Sequence, residues 1–351
     1  MMRLQLRPDV SPALNIGMPL AAVAFTMALC STLIIIAGAP VVTAYGVMLT
    51  AAFGDTYAVT ETLVRATPMI FTGLAVAVAF RAKFWNIGAE GQLLSGAVLS
   101  CMVGAISMPG ALAIFLMFVA GSIGGALTAL VPAVLRLKFK VDDVVSSLLL
   151  NSVILYGLMA LIEGPWKDSL SGYPISPPIE DSANFPVFIE GTRLHLGVLA
   201  AFLAAPLVWF VIARTVFGFK IRATGENPEA ARYGGIDTRR VIFTTALLSG
   251  GLAGLAGVCQ VGGVHYQVMA EISPGYGYSG IVIAMLARLN PLGVVPAAIF
   301  LSAVMVGADA MSRATGVPAF IGQVVQGVAL LSMLVALLLT QYRIQFRQAT
   351  A

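Results

Sequence analysis

Two polar stretches interrupt an apolar chain and hold most of the side chains whose types and spacing could do chemistry. The first is Phe84-Trp-Asn-Ile-Gly-Ala-Glu-Gly-Gln92, which sets an amide, a carboxylate and a second amide at Asn86, Glu90 and Gln92. The second is Gly225-Glu-Asn-Pro-Glu-Ala-Ala-Arg-Tyr-Gly-Gly-Ile236. Neither brings a nucleophile, a base and an oxyanion donor into one set, so neither reads as a catalytic centre. His195 and His265 stand at the ends of apolar runs without metal or triad partners, which points to structural roles. Cys30, Cys101 and Cys259 fall inside apolar runs without metal-type spacing and read as small packing residues. No Gly-x-x-x-x-Gly-Lys-Ser/Thr phosphate loop occurs, so any nucleotide hydrolysis that drives this protein belongs to another chain.

What these groups can do is cap, dock and line. In the first stretch Arg81 and Lys83 anchor the end of the preceding apolar run, Asn86 suits the cap of the next helix, and Glu90 falls near that helix's positive end. An ionisable group costs about 2.5–3.5 kcal/mol at the centre of a membrane helix. Glu90 therefore has two readings, an interfacial residue that satisfies a helix start or a group facing a water-filled route. In the second stretch Asn227 suits an N-cap, Pro228 the first helical position and Glu229 the first turn. Ala230, Ala231 and Arg232 continue the helix and Gly234-Gly235 ends it, giving about two turns. An amphipathic connector and a docking element both fit that pattern.

The elements that must hold these stretches are membrane helices. Of 351 residues, 59% are hydrophobic and only 10% charged, against about 25% charged in soluble domains; mean hydropathy is +0.93. Apolar runs of roughly 20 residues, long enough to cross a hydrocarbon core of about 30 Å, recur along the chain. Residues 1–351 read as a single all-α polytopic membrane domain, with the first run retained as a helix and not cleaved as a signal. Spans are predicted at 18–39, 60–80, 87–108, 110–134, 143–163, 195–213, 240–262, 279–289, 292–309 and 320–340, about ten crossings. The span at 279–289 is short and runs into Asn290-Pro291, as a broken or re-entrant helix would. With the N-terminus inside, only Arg65, Lys167, Arg193 and Arg313 of the 20 lysines and arginines fall outside, which obeys the positive-inside bias and makes both termini cytosolic. The basic residues are dispersed and not gathered with aromatics, so the partner surface is membrane lipid and not nucleic acid, despite a pI near 9.0.

Two connections are long. The outer one, 164–194, carries Pro165, Pro174, Pro177, Pro178 and Pro186 together with Trp166, Asp168, Tyr173, Glu180 and Asp181. It is either a plain connector or a landing surface for an extracytoplasmic binding protein. The inner one, 214–240, contains the second polar stretch. Inside the spans, Ser146, Ser147, Asn151, Gln260, Gln323 and Gln326 either line a polar path or bond a neighbouring helix, a contact worth about 0.6 kcal/mol on average. Neutral amides suit an uncharged solute better than an ion. Gly121-Ser-Ile-Gly-Gly125 and Gly250-Gly-Leu-Ala-Gly254 are patterns that let helices approach closely.

Glu229-Ala230-Ala231 followed by Gly235 resembles the core of the EAA loop of ABC-importer permeases, without the Leu-Pro tail of the fuller pattern. Phe84 to Gln92 resembles the Phe-Asn-Ile-Gly-Ala-Glu-Gly-Gln signature of nucleoside-type permeases, with Trp85 after the phenylalanine. The resemblance implies a ribose-permease-like fold from the branch that moves simple sugars, nucleosides and branched-chain amino acids. It implies a transport subunit, not an enzyme, in a bacterial cytoplasmic (inner) membrane. ATP and Mg would reside in a partner ABC ATPase, docked on Glu226, Pro228, Glu229, Ala230, Ala231, Arg232 and Gly235. A solute-binding protein would meet the outer connection at Trp166, Asp168, Tyr173, Glu180 and Asp181. Asn86, Glu90, Gln92, Asn151, Gln260, Gln323 and Gln326 would border the translocation path. A second permease subunit is implied, as a heterodimer in preference to a homodimer, with a nucleoside or simple sugar as cargo. Leu248-Ser-Gly-Gly251 imitates the signature sequence of ABC ATPases but lies inside a span, where it reads as helix packing. The alternative, an ion-coupled secondary transporter or channel for a small polar solute, calls for acids at mid-membrane, whereas Glu61, Glu163, Glu271 and Asp309 lie at or near span ends.

Overall fold

The computed structural model describes residues 2–6, 12–36 and 38–316, and beyond them 324, 327–328, 331–332, 335–336, 338–340 and 342–346. The elements are β1 (Met2–Leu6), α1 (Pro12–Ile36), α2 (Val41–Phe53), α3 (Thr56–Arg81), α4 (Ala89–Gly104), α5 (Gly110–Phe139), α6 (Asp143–Glu163), α7 (Leu196–Arg214), α8 (Val216–Glu226), α9 (Pro228–Tyr233), α10 (Thr238–Gln260), α11 (Tyr276–Leu286), α12 (Pro291–Thr315) and β2 (Tyr342–Phe346). A 3-10 turn spans Asp181–Ala183, and a π turn at Val261–His265 extends α10. Among the described residues the fold is helical, as expected of an all-α membrane protein, with β1 and β2 as one short antiparallel pair, Met2 opposite Phe346.

Among the described residues, α3, α5, α6, α7, α12 and α10 with its π turn are long and apolar enough to cross a membrane. The end of α1 and α2, bent by 119° at their junction, would count as one more if they form a single broken span. The predicted spans at 87–108 and 279–289 are shorter helices of 16 and 11 residues. At 1.5 Å per residue α11 rises only about 17 Å, roughly half the hydrocarbon core. Helices α2 and α8 occupy stretches read as connections, and most of the predicted span 320–340 lies outside the described residues. The described residues therefore do not add up to ten crossings.

The residues group into two compact units. The first joins Met1–Thr62 to Phe300–Ala351. Its core packs Ile34, Ala39, Ala44 and Met311 against Val41, Tyr45 and Met48. Thr62 Oγ1 donates to the Ala52 carbonyl at 3.0 Å, and Ser302 Oγ donates to the Thr62 carbonyl at 2.6 Å.

The second unit, Leu63–Ile299, contains both polar stretches. Its centre is α4, α5 and α10, pressed together at glycines. A Cβ on Gly125 would overlap the Gly250 carbonyl oxygen, one on Gly254 the Gly121 oxygen, and one on Gly257 the Leu93 oxygen. Lipid tails are as apolar as leucine, so such close packing, and not apolar burial, must hold membrane helices together. The spaced glycines do what their pattern suggested. Gly254→Ala should force α5 and α10 apart at an overpacking cost of about 1–3 kcal/mol. That loss should appear as a lower inactivation temperature of the purified full chain, and an unchanged temperature would contradict the contact.

The ends of this unit's helices sort onto two faces. At one, Arg81 Nε donates to the Leu289 carbonyl at 3.0 Å, Lys83 Nζ to the Glu226 carbonyl at 3.4 Å and Arg136 Nη1 to the Lys83 carbonyl at 2.8 Å. At the other, Glu180 N–H donates to the Gly104 carbonyl at 2.9 Å and Phe185 N–H to the Gly262 carbonyl at 2.8 Å. The helix ends that charge counting assigns to a common side do meet.

Candidate functional site: a broken crossing beside a capped surface helix

The first polar stretch is not a surface loop. After α3 ends at Arg81 the chain doubles back, because Asn86 Nδ2 donates at 2.9 Å to Ser249 Oγ, which itself donates at 2.8 Å to the carbonyl of Ala75. Ala75 lies six residues before the end of α3, about 9 Å up that helix. Residues 82–88 thus re-enter the protein as non-helical backbone. That is tolerated at membrane depth only if the protein satisfies each N–H and C=O.

Buried side chains supply the partners. Trp85 N–H donates to Asp143 Oδ2 at 2.6 Å, Ile87 N–H to Ser147 Oγ at 3.1 Å and Gly88 N–H to Asn86 Oδ1 at 3.0 Å. Asn151 serves two groups, donating to the Ile87 carbonyl at 3.0 Å and accepting from Gly91 N–H at 2.9 Å. Asn86 and Gln92 exchange two amide hydrogen bonds, at 3.0 and 2.8 Å. Arg136 ion-pairs with Asp143 and holds the outlying end of the segment.

Asn86 is therefore not the N-cap of α4. Gly88 takes that place without a side-chain cap bond, and Asn86 instead bonds the backbone and Gln92. Asn86, Gln92 and Asn151 are all buried, with their amides engaged by the protein itself. Asp143 was missed as a member of this network. Its only signal in the sequence is its place at the head of an apolar run. Ser249, within Leu248-Ser-Gly-Gly251, is a buried helix-packing residue, as read.

Glu90 lies where two helices start. Gly277 N–H donates to Glu90 Oε2 at 2.7 Å. A Cβ on Gly277 would overlap the Glu90 backbone, so the first turns of α4 and α11 touch. Thr72 Oγ1 fixes α11 to α3 by donating to the Tyr276 carbonyl at 3.0 Å. Two positive helix ends face one another here, and one buried carboxylate sits between them. Glu90 satisfies a helix start, but the start is that of α11 as well as its own. Gln260 is buried at the end of α10; Gln323 and Gln326 lie outside the described residues.

The second polar stretch forms the helix expected of it. Asn227 Oδ1 accepts from Glu229 N–H at 3.0 Å and Ala230 N–H at 3.1 Å, with Pro228 at the first position. Gly234 closes the helix and Gly235 turns the chain at φ +81°. Ala231, 6% exposed, is the foot. Glu226, Pro228, Glu229, Ala230, Arg232 and Gly235 face outward. Close approach fixes the mount, since a Cβ on Gly225 would overlap the Arg81 carbonyl oxygen. Tyr233, 97% exposed at the tip, was not singled out from sequence. An aromatic side chain among charges and glycines was the available signal.

On the opposite face, the proline-rich connection is a strap clipped to the segment after α10. Ser176 N–H donates to the Val268 carbonyl at 2.9 Å, Val268 N–H returns a bond to Ser176 Oγ at 2.8 Å, and Ile179 N–H donates to the Tyr266 carbonyl at 2.8 Å. Phe185 stacks on Phe118 at 5.3 Å. Tyr173, Glu180 and Asp181 are exposed, while Trp166 and Asp168 are half-buried. Asp168 is engaged in a local turn, where the Ser171 side chain and the Leu170 and Ser171 N–H groups hold its pKa below the usual carboxylate value. His195 caps α7 by accepting from Gly197 N–H at 3.0 Å, the structural role expected of it.

Residues 58–337 match the family described as branched-chain amino acid transport system / permease component. The glucose ABC transporter permease protein TsgB13 of Haloferax volcanii is 33% identical over 354 residues, covering 98% of this chain and 93% of that protein. The guanosine ABC transporter permease protein NupP of Bacillus subtilis is 34% identical over 335 residues, covering 93% and 94%. The guanosine ABC transporter permease protein NupQ of the same organism is 28% identical over 250 residues, covering 69% and 78%.

Proposed function

The chain belongs to the branched-chain amino acid transport system permease family and is a permease subunit of an ABC importer, and on that premise we propose that a cytosolic ABC ATPase drives it through α9, with a nucleoside or simple sugar as cargo. The observation that carries the coupling role is the exposed, Asn-capped helix Pro228–Tyr233, seated by Ala231 and linked by the Lys83 to Glu226 bond to the start of the broken crossing. A push on α9 thereby bears on the segment that leads to Glu90 and α11. ATP and Mg belong to that partner, and this chain contributes transport without catalysis.

The cargo class rests on the relatives' names and on charge. Paired helix N-termini ordinarily favour an anion. Here the Glu90 carboxylate already occupies that position, which disfavours an anionic solute and suits a neutral one. In this reading Asn86, Gln92 and Asn151 shape the path by holding the broken crossing in place and do not touch cargo, whereas Glu90 and Gln260 border it. The presence in Bacillus subtilis of two different guanosine permease proteins similar to this chain supports a heterodimer with a second permease. In this reading the face bearing Arg81, Lys83 and α9 is cytosolic and the strap lies outside the inner membrane, in keeping with the positive-inside bias, and both termini are cytoplasmic by the same charge bias in the sequence.

The strap then receives the solute-binding protein through Tyr173, Glu180 and Asp181. Deleting the strap would remove the buried anchors Ser176, Ile179 and Phe185, so surface charge is the cleaner probe. Glu180→Lys with Asp181→Lys should raise the half-saturating concentration of binding protein by roughly tenfold through a slower encounter. Unchanged half-saturation in vesicle uptake would contradict this role. Uptake of labelled guanosine, ribose and glucose by the assembled complex tests the cargo class, and transport of a charged solute alone would refute it.

A further inference from the structure

At the same face as α9, a cavity of about 280 Å³ opens between α7, α8 and the α11–α12 junction, lined by Arg81, Trp209, Ile212, Ala213, Arg222 and Asn290. Arg81 and Arg222 both line this cavity, so two like charges share one recess. Each spends one donor on a backbone carbonyl, Arg81 on Leu289 and Arg222 on Ile212. Neither has a carboxylate within ion-pair reach among the described residues. Each guanidinium carries five N–H donors, so most remain available. Holding two uncompensated cations together is unfavourable unless an anion joins them.

The flank beside the cavity identifies the source. Leu199, Leu203, Leu207 and Phe210 form an exposed apolar stripe along α7 that suits acyl chains. Trp209 lies in the last turns of the same helix and lines the cavity, a position that suits tryptophan's preference for the headgroup zone. The volume falls just under the range of about 300–1,000 Å³ for drug-sized ligands, which suits a headgroup better than a nucleotide.

We propose that this cavity binds a phosphate group, that of an anionic phospholipid headgroup of the inner leaflet, clamped between Arg81 and Arg222. Guanidinium forks match phosphate oxygens bidentately, and basic pockets between membrane helices on the cytoplasmic side are suited to such headgroups. Arg222 lies on α8, which runs directly into the Asn227 cap of α9. A bound headgroup would brace the mount of the coupling helix, so occupancy would tune coupling whatever the cargo.

Native mass spectrometry of the full-length protein, released from nanodiscs of phosphatidylcholine with a minor fraction of phosphatidylglycerol, tests the site. Wild type should retain one phosphatidylglycerol per chain. Arg222→Gln should retain about tenfold less, and so should Ala213→Glu, which breaks no hydrogen bond and places a carboxylate at the mouth. A second arm offers inorganic phosphate in pure phosphatidylcholine. Retention of phosphate with no preference for phosphatidylglycerol would overturn the lipid source. Retention of neither ligand, or equal lipid retention by wild type and Ala213→Glu, would overturn the site.

Discussion

Glu229→Arg is expected to reduce ATP-driven uptake by about a hundredfold while the chain stays folded and inserted. Glu229 is exposed in the first turn of α9, where its charge complements the helix dipole by only about 0.3–1 kcal/mol. That loss is small against a domain stability of about 5–15 kcal/mol. Reversing a charge in the middle of a docking surface instead sets like charges together, at a cost of about 2–5 kcal/mol in binding. Tyr233→Ala should act on the same step by removing the most exposed anchor, at about 2 kcal/mol or roughly thirtyfold in affinity for the ATPase. Uptake into vesicles, read beside the yield of folded protein, separates docking from folding. Normal uptake by Glu229→Arg would remove α9 as the coupling element.

Asn86→Leu should fail at an earlier stage, with little folded protein recovered. The substitution keeps the volume but strands Gly88 N–H, both ends of the Gln92 amide and a contact of Ser249. Each buried polar group left without a partner costs about 1–3 kcal/mol. Several together approach the whole stability of a domain. The size-exclusion profile and inactivation temperature of the purified chain report the loss. Wild-type values for both would mean that residues 82–88 do not depend on this network. Ser249→Ala removes one member only and should fall between wild type and Asn86→Leu.

What could be read from the sequence was local. Asn227-Pro228-Glu229 specifies a cap and a first turn within a few positions, and the structure contains that helix with Gly234-Gly235 at its end. The spaced glycines of α5 and α10 were legible for the same reason, since one face of one helix declares its packing. The contacts that hold the broken crossings were not. Ser249 stands 163 positions from Asn86, and Gly277 187 positions from Glu90. No window of sequence holds both halves of either bond, so the depth to which Phe84–Gln92 climbs could not be inferred. Hydropathy reads α4 as a full span because it is apolar, whereas the shortness of α11 and the Asn290-Pro291 that follows it did mark a broken helix. The fold class followed from composition, but the number of crossings depended on those two helices.

The most direct measurement reconstitutes the chain with its second permease, ATPase and binding protein in sealed vesicles and compares solute accumulation under three conditions: ATP, an ion gradient alone, and ATP with Glu229→Arg. Accumulation with ATP only, lost in the variant, is expected. Accumulation on the ion gradient alone would contradict an ATPase-driven importer.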